Sequence, residues 1–451
     1  MSVGSGPARS QQAVVVGSMY VGYAAFMVLR TVPTTIATAL QKDLGIGVDV
    51  WGRVLAIGTC GGIAGKFVGG FLADRLGGKI TFTVGLLLTS VSVAVFALGG
   101  HWLYFAATFF FALMAKSAGW PSMAKIITNW FRADEYGSVW GIISTSSRVG
   151  TIIASLALGA MLAFTSWRVV LLVGAGIGVV CTLLFWFILK EAPDIAEGSL
   201  PGVAPVPPES AFETGNPYEV AEVPESSKMS EPGEHPLDGK PLSAAVGYFF
   251  LSPQFWLITA SLMGLTVLWD FLSFLPNFLQ ASFDFSDEQA AMAPAAFPFG
   301  SLISVLFGGF VFDKLSRRRM AVVMGLLLLI ATVCMGAFYG MTFMELTPSR
   351  ALPLCIGLLF VFGVCVSPCY YIPMSVFSIE FGGPHSGFLI SFLDVFGFAA
   401  SATFSFVGGS IAAKLGWDTF MIVLVVISVW SLVSTVLFML GEAKKQTAAA
   451  R

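Results

Sequence analysis

The stretch Gly69-Gly70-Phe71-Leu72-Ala73-Asp74-Arg75-Leu76-Gly77-Gly78-Lys79 closes one apolar run and opens the next. Half a chain later, Gly308-Gly309-Phe310-Val311-Phe312-Asp313-Lys314-Leu315-Ser316-Arg317-Arg318 repeats the arrangement more loosely. In both, a glycine pair ends an apolar helix, an acidic-basic pair follows, and a short basic turn leads into the next run. Two copies at this separation predict a duplicated architecture. A carboxylate at the C-terminal end of its own helix is badly placed for that helix's dipole. Asp74 is therefore expected to be engaged by Arg75 or by the N-terminus of a helix alongside. Gly70, Asp74 and Arg75, with Gly309, Asp313 and Lys314, read as a conformational latch.

Composition places these runs in a membrane. Of 451 residues, 56% are hydrophobic and only 11% charged, too few charges for a soluble globule. Apolar segments of about 20 residues recur, each long enough to cross a hydrocarbon core. Twelve are read, at 14–40, 52–73, 80–100, 102–126, 137–163, 168–189, 252–280, 289–312, 320–341, 352–375, 386–412 and 417–440. The fold class expected is an all-α membrane protein, with twelve transmembrane helices in two pseudo-symmetric six-helix bundles. Residues 1–190 form the first bundle and 244–451 the second. Between them, 191–243 holds ten of the 22 prolines and eleven of the 26 acidic residues, the composition of a disordered cytoplasmic linker.

No cleaved signal peptide is read at the N-terminus, and no basic cluster suits nucleic acid. The six cysteines sit inside apolar runs, where neither a disulfide framework nor a zinc site is expected. The three histidines fall in loops or at span ends, and no nucleotide loop is present. The expectation is a transporter with no cofactor, no metal and no enzymatic activity, acting as a monomer in the lipid bilayer. An even number of spans puts both termini on one side. That side carries fifteen lysines and arginines in its loops and the other five, which predicts cytoplasmic termini in a cell membrane.

The remaining four basic residues lie inside spans: Arg30, Lys66, Lys116 and Arg148. A charge at the bilayer centre costs on the order of 2.5–3.5 kcal/mol on insertion scales, so each must line an aqueous cavity or meet a partner. Lys66 also lies close enough to its span end to snorkel. The comparable residues of the second half are acidic, Asp270 and Asp394. If acid and base pair across the halves, two cations remain, and an anionic substrate is their natural counter-charge. Guanidinium favours planar bidentate oxyanion binding where lysine acts as a point charge, so Arg30 and Arg148 are the preferred ligands. Asp270 and Asp394 are read as charge-pairing or proton-coupling groups.

The repeated loop resembles the signature loop of the major facilitator superfamily. Gly22-Tyr23-Ala24-Ala25-Phe26-Met27-Val28-Leu29-Arg30 resembles the first helix of its organophosphate:phosphate antiporters, as do Lys66-Phe67, Gly119-Trp120-Pro121 and Trp140-Gly141-Ile142-Ile143-Ser144-Thr145-Ser146. The resemblance implies Arg30 as the substrate-phosphate arginine, Tyr23 as a cavity tyrosine and Lys66 as the nearby lysine. Where those antiporters keep a second arginine this chain has Leu268; their next lysine is Thr31 here, and their fifth-helix histidine is Ser147. Positive charge has moved into the first half, at Lys116 and Arg148. The function implied is secondary active transport of a phosphorylated or carboxylated organic anion by alternating access, through exchange for phosphate or coupling to protons. A sugar-phosphate sensor signalling to a partner kinase is the alternative reading.

Overall fold

Backbone amides in hydrocarbon must be satisfied within their own segment, so runs of this length become helices. The structure, a computed structural model, describes residues 9–132, 135–193, 235–312 and 315–449. Ten single spans follow in order: α1 (Arg9–Thr35), α2 (Val48–Leu76), α3 (Gly78–Phe96), α4 (Trp102–Trp130), α5 (Tyr136–Met161), α6 (Trp167–Ile188), α7 (Pro253–Ser273), α8 (Asp287–Gly308), α9 (Arg317–Met341) and α10 (Pro348–Gly382). The last helical segment, Ser386–Ala449, is two helices. At Gly416 the backbone takes φ 86° and ψ 168°, a conformation glycine adopts without steric cost. The chain turns there from α11 (386–415) into α12 (417–449), completing the twelve.

The helices form two six-helix halves, and their packing repeats. A Cβ on Gly61 of α2 would lie 2.2 Å from the Phe110 carbonyl oxygen of α4, and one on Gly300 of α8 would lie 2.1 Å from that of Phe360 in α10. Small residues let these backbones approach closely where lipid supplies no hydrophobic drive for association.

Four interruptions position the polar residues. α1 ends at Thr35 and a short helix resumes at Ala37–Leu44. α4 divides into Trp102–Lys116 and Gly119–Trp130; Pro121 lacks an amide hydrogen and its ring crowds the carbonyl of Ser117. α7 is α-helical to Asp270 and passes through a 3₁₀ turn at Phe271–Ser273, before Pro276 opens the helix Leu275–Phe283. α5 contains a π-helical turn at Ala154–Leu158, a widening that is frequent at functional sites. Lys116 and Asp270 are thus each the last residue before a proline-associated break.

One expectation needs correction. Asp74 is exposed, with no hydrogen bond or ion pair among the described residues, and Arg75 instead stacks 4.3 Å from the Phe71 ring centre. The free amides that open α3 are held by Glu191, whose carboxylate accepts those of Gly78 at 2.8 Å and Lys79 at 2.6 Å. At both ends of the segment 191–243 the described residues make contacts with the bundles. Glu191 is fixed as described; His235 Nε2 lies 3.3 Å from the Glu380 carbonyl oxygen, His385 Nε2 lies 3.0 Å from that of Lys240, and a helix starts at Leu242. Residues 194–234 lie outside the described residues, as do Asp313 and Lys314 of the second latch copy; Gly309 belongs to the helix Ala296–Phe312.

Candidate substrate cavity between the halves

On the face opposite the termini the halves touch directly. Asn277 Nδ2 donates to Gln41 Oε1 at 3.0 Å, and Lys42 Nζ meets Asp287 Oδ1 at 3.0 Å. Just beneath, α2 crosses α11 so tightly that a Cβ on Gly52 would lie 2.4 Å from the Ser405 carbonyl oxygen. Below this closure lies a cavity lined from both halves by Arg30, Thr34, Thr59, Arg148, Trp269 and Asp270 among others.

Three of the expected residues converge there. Arg30 of α1 faces Asp270 of α7, Nη2 to Oδ1 at 3.7 Å, with the side chains 33% and 15% exposed. Asp270 also accepts a hydrogen bond from Ser401 of α11. Its attachment to Arg30 and Ser401 orients it. Arg148 of α5 is 3% exposed. Its Nη1 donates to the Ser144 carbonyl at 2.8 Å and to Ser147 Oγ at 2.9 Å, and its Nε to Ser301 Oγ of α8 at 3.4 Å. The guanidinium lies 4.6 Å over the Tyr371 ring of α10. Its Nη2 is buried without a hydrogen-bond partner, and an unsatisfied charged donor costs about 1–3 kcal/mol or more.

The other expected residues stand nearer the face of the termini. Lys66 of α2 pairs with Asp394 of α11 and lies 4.5 Å from the Phe398 ring centre. It follows Thr59 by about 10 Å along the helix at 1.5 Å per residue, so this pair bridges the halves on the termini side of the cavity. Lys116 has no carboxylate partner among the described residues and sits 5.6 Å over the Tyr23 ring. Tyr23 is 7% exposed and packs edge-on against Trp120 at 5.1 Å. Neither Tyr23, Lys66, Lys116 nor Asp394 lines the cavity. Of the six charges expected inside the spans, Arg30 pairs with Asp270 and Lys66 with Asp394, while Lys116 and Arg148 have no carboxylate partner among the described residues.

Sequence reading passed over the hydroxyls. Thr31, Thr34 and Thr35 share the cavity with Arg30, and Ser147, Thr151 and Ser155 share it with Arg148. Their three- and four-residue spacings are the signal that places each set on one helix face. The partners of Arg148 across the interface, Ser301 and Tyr371, gave no such signal, because they sit in ordinary apolar surroundings far along the chain.

The sequence pattern of the Major Facilitator Superfamily matches residues 19–296 and 266–451. The chain belongs to that superfamily. A protein of Chlamydia trachomatis named "Probable hexose phosphate transport protein" is 24% identical over 307 residues, 67% of this chain and 64% of that one. The "Probable sulfoacetate transporter SauU" of Cupriavidus necator is 22% identical over 306 residues, 68% of this chain and 66% of that one. Each match spans less than two thirds of the relative's own length. A solved bacterial homologue of the human lysosomal transporter Spinster, in an inward-facing and unoccupied conformation, superposes with a TM-score of 0.71, covering 97% of this chain and 98% of that one at 16% identity. This superposition shows the twelve-helix fold, and the first relative is of the kind that residues 22–30 resemble.

Proposed function

We propose that this superfamily member is a secondary active transporter that carries a small organic anion by alternating access. The observation that carries the reading is the convergence of Arg30 and Arg148 on a cavity shared by the two halves, with one guanidinium nitrogen of Arg148 unpartnered. A group buried between two bundles is reached from one face or the other as one half rocks against its partner. The relatives' names, a hexose phosphate transport protein and a sulfoacetate transporter, support an anionic cargo. Lys66 and Asp394, paired across the halves on the termini side, serve as an element that must part when the cavity opens that way. The exposed Asp74 loop serves the alternation between states and makes no contact with cargo. Excess basic residues in the loops on the side of the termini support cytoplasmic termini in a cell membrane.

The test is uptake by proteoliposomes containing the full chain, offered labelled phosphorylated and carboxylated metabolites with and without internal phosphate. Accumulation of at least one anion above protein-free vesicles is expected, and its loss in an Arg148→Ala variant. If no member of the panel accumulates under any internal loading, the transport reading is wrong.

A further inference from the structure

Resting on the transport reading, and naming its cargo, we propose that the cavity selects a polyhydroxylated monocarboxylate over a phosphate monoester dianion. Charge is the first ground. The charged side chains lining the cavity are Arg30, Arg148 and Asp270, two cations and one anion, which leave one positive charge. Asp270 is held by Arg30 and Ser401, so its charge is answered before cargo enters. A monoanion completes the neutralisation, whereas a dianion brings one negative charge too many into a site between apolar helices, where uncompensated charge is costly.

The second ground is the direction of the hydroxyl protons. Thr34 and Thr35 donate to the Thr31 carbonyl at 2.7 and 3.1 Å, and Thr59 to that of Leu55 at 3.0 Å. On α5, Ser147 donates to the Ser144 carbonyl at 3.0 Å and Thr151 to that of Ser147 at 2.9 Å. A hydroxyl has one proton and two lone pairs. With the proton committed to its own helix, each presents only acceptors to the cavity. Ser147 Oγ already accepts from Arg148 Nη1, so four such acceptors on three helices, Thr34, Thr35, Thr59 and Thr151, call for a cargo rich in donors, as a chain or ring of hydroxyl groups is.

Isothermal titration of the purified full chain in detergent, with D-gluconate, glucose 6-phosphate and hexanoate as probes, separates these grounds. Gluconate should bind about tenfold or more tightly than either, the loss of one charge-assisted contact or several hydroxyl contacts. Glucose 6-phosphate binding as tightly as gluconate would overturn the charge argument and leave transport of an anion standing. Equal binding of hexanoate would overturn the hydroxyl argument in the same way. Failure of all three probes to bind would overturn the assignment outright, and the proteoliposome panel then decides independently whether any anion is carried. In Asp270→Asn, which leaves two lining cations without a fixed anion, the preference should move toward glucose 6-phosphate by about tenfold. An unchanged preference in a variant that still binds gluconate would show that Asp270 does not set the charge of the cargo.

Discussion

Replacing Asp270 by asparagine removes the carboxylate facing Arg30 Nη2 at 3.7 Å and keeps nearly the same shape. At that separation and an effective dielectric near 20, the gross attraction is about 4 kcal/mol before desolvation. Arg30 is 33% exposed, so solvent screening removes most of this. A quarter retained, roughly 1 kcal/mol, still changes a conformational population by about fivefold. In the parent, an empty cavity is partly neutralised from within and can close without cargo. In the variant, Arg30 and Arg148, both of the first half, line the cavity without a fixed counter-charge, and closure of the empty carrier is opposed. The assay compares initial uptake of the anion the parent carries fastest into two kinds of proteoliposome. One holds buffer alone under an inward proton gradient, and the other holds the unlabelled anion. The ratio of net uptake to exchange should fall by about fivefold in Asp270→Asn. An unchanged ratio refutes the reasoning, and so does a parent that takes up anion only when loaded, since the internal carboxylates then fail to free the empty carrier.

Arg148→Lys keeps the charge but loses the fork that now reaches Ser144, Ser147 and Ser301. Equilibrium binding of the same anion should weaken by about ten- to a hundredfold, and affinity equal to the parent's would remove Arg148 from the site. Asp74→Asn should slow turnover and shift labelling of single cysteines placed on the two faces, with affinity in detergent changed by no more than about threefold. A collapse of affinity with labelling as in the parent would contradict the latch. Glu191→Gln leaves the Gly78 and Lys79 amides without a carboxylate, a loss of about 1 kcal/mol or a midpoint lower by about 2 °C in thermal unfolding. The exposed Asp74→Asn should leave that midpoint where it was, and a reversed order would mean that Glu191 does not cap α3.

The sequence by itself determined the membrane class, the twelve spans and the duplication, because these rest on run length and on a motif repeated at half-chain spacing. It also singled out Arg30, Lys66, Lys116, Arg148, Asp270 and Asp394, since any charge inside an apolar run must be compensated. The break between the last two spans was legible as well, in the bounds 386–412 and 417–440. Only the tertiary structure decided which cation met which anion. Arg30 takes Asp270 and Lys66 takes Asp394 because α1 faces α7 and α2 crosses α11, and partners 240 or more residues apart leave no local pattern. The same holds for Glu191, a residue of the linker by composition that becomes the cap of α3 only once α6 brings it alongside. The hydroxyl faces of α1 and α5 lay open to periodicity, but their role did not, because a serine or threonine bonded to its own helix looks alike in sequence whether it meets lipid, another helix or a cavity. What the bilayer demands of every segment can be read one segment at a time; what the cavity offers its cargo exists only between two halves.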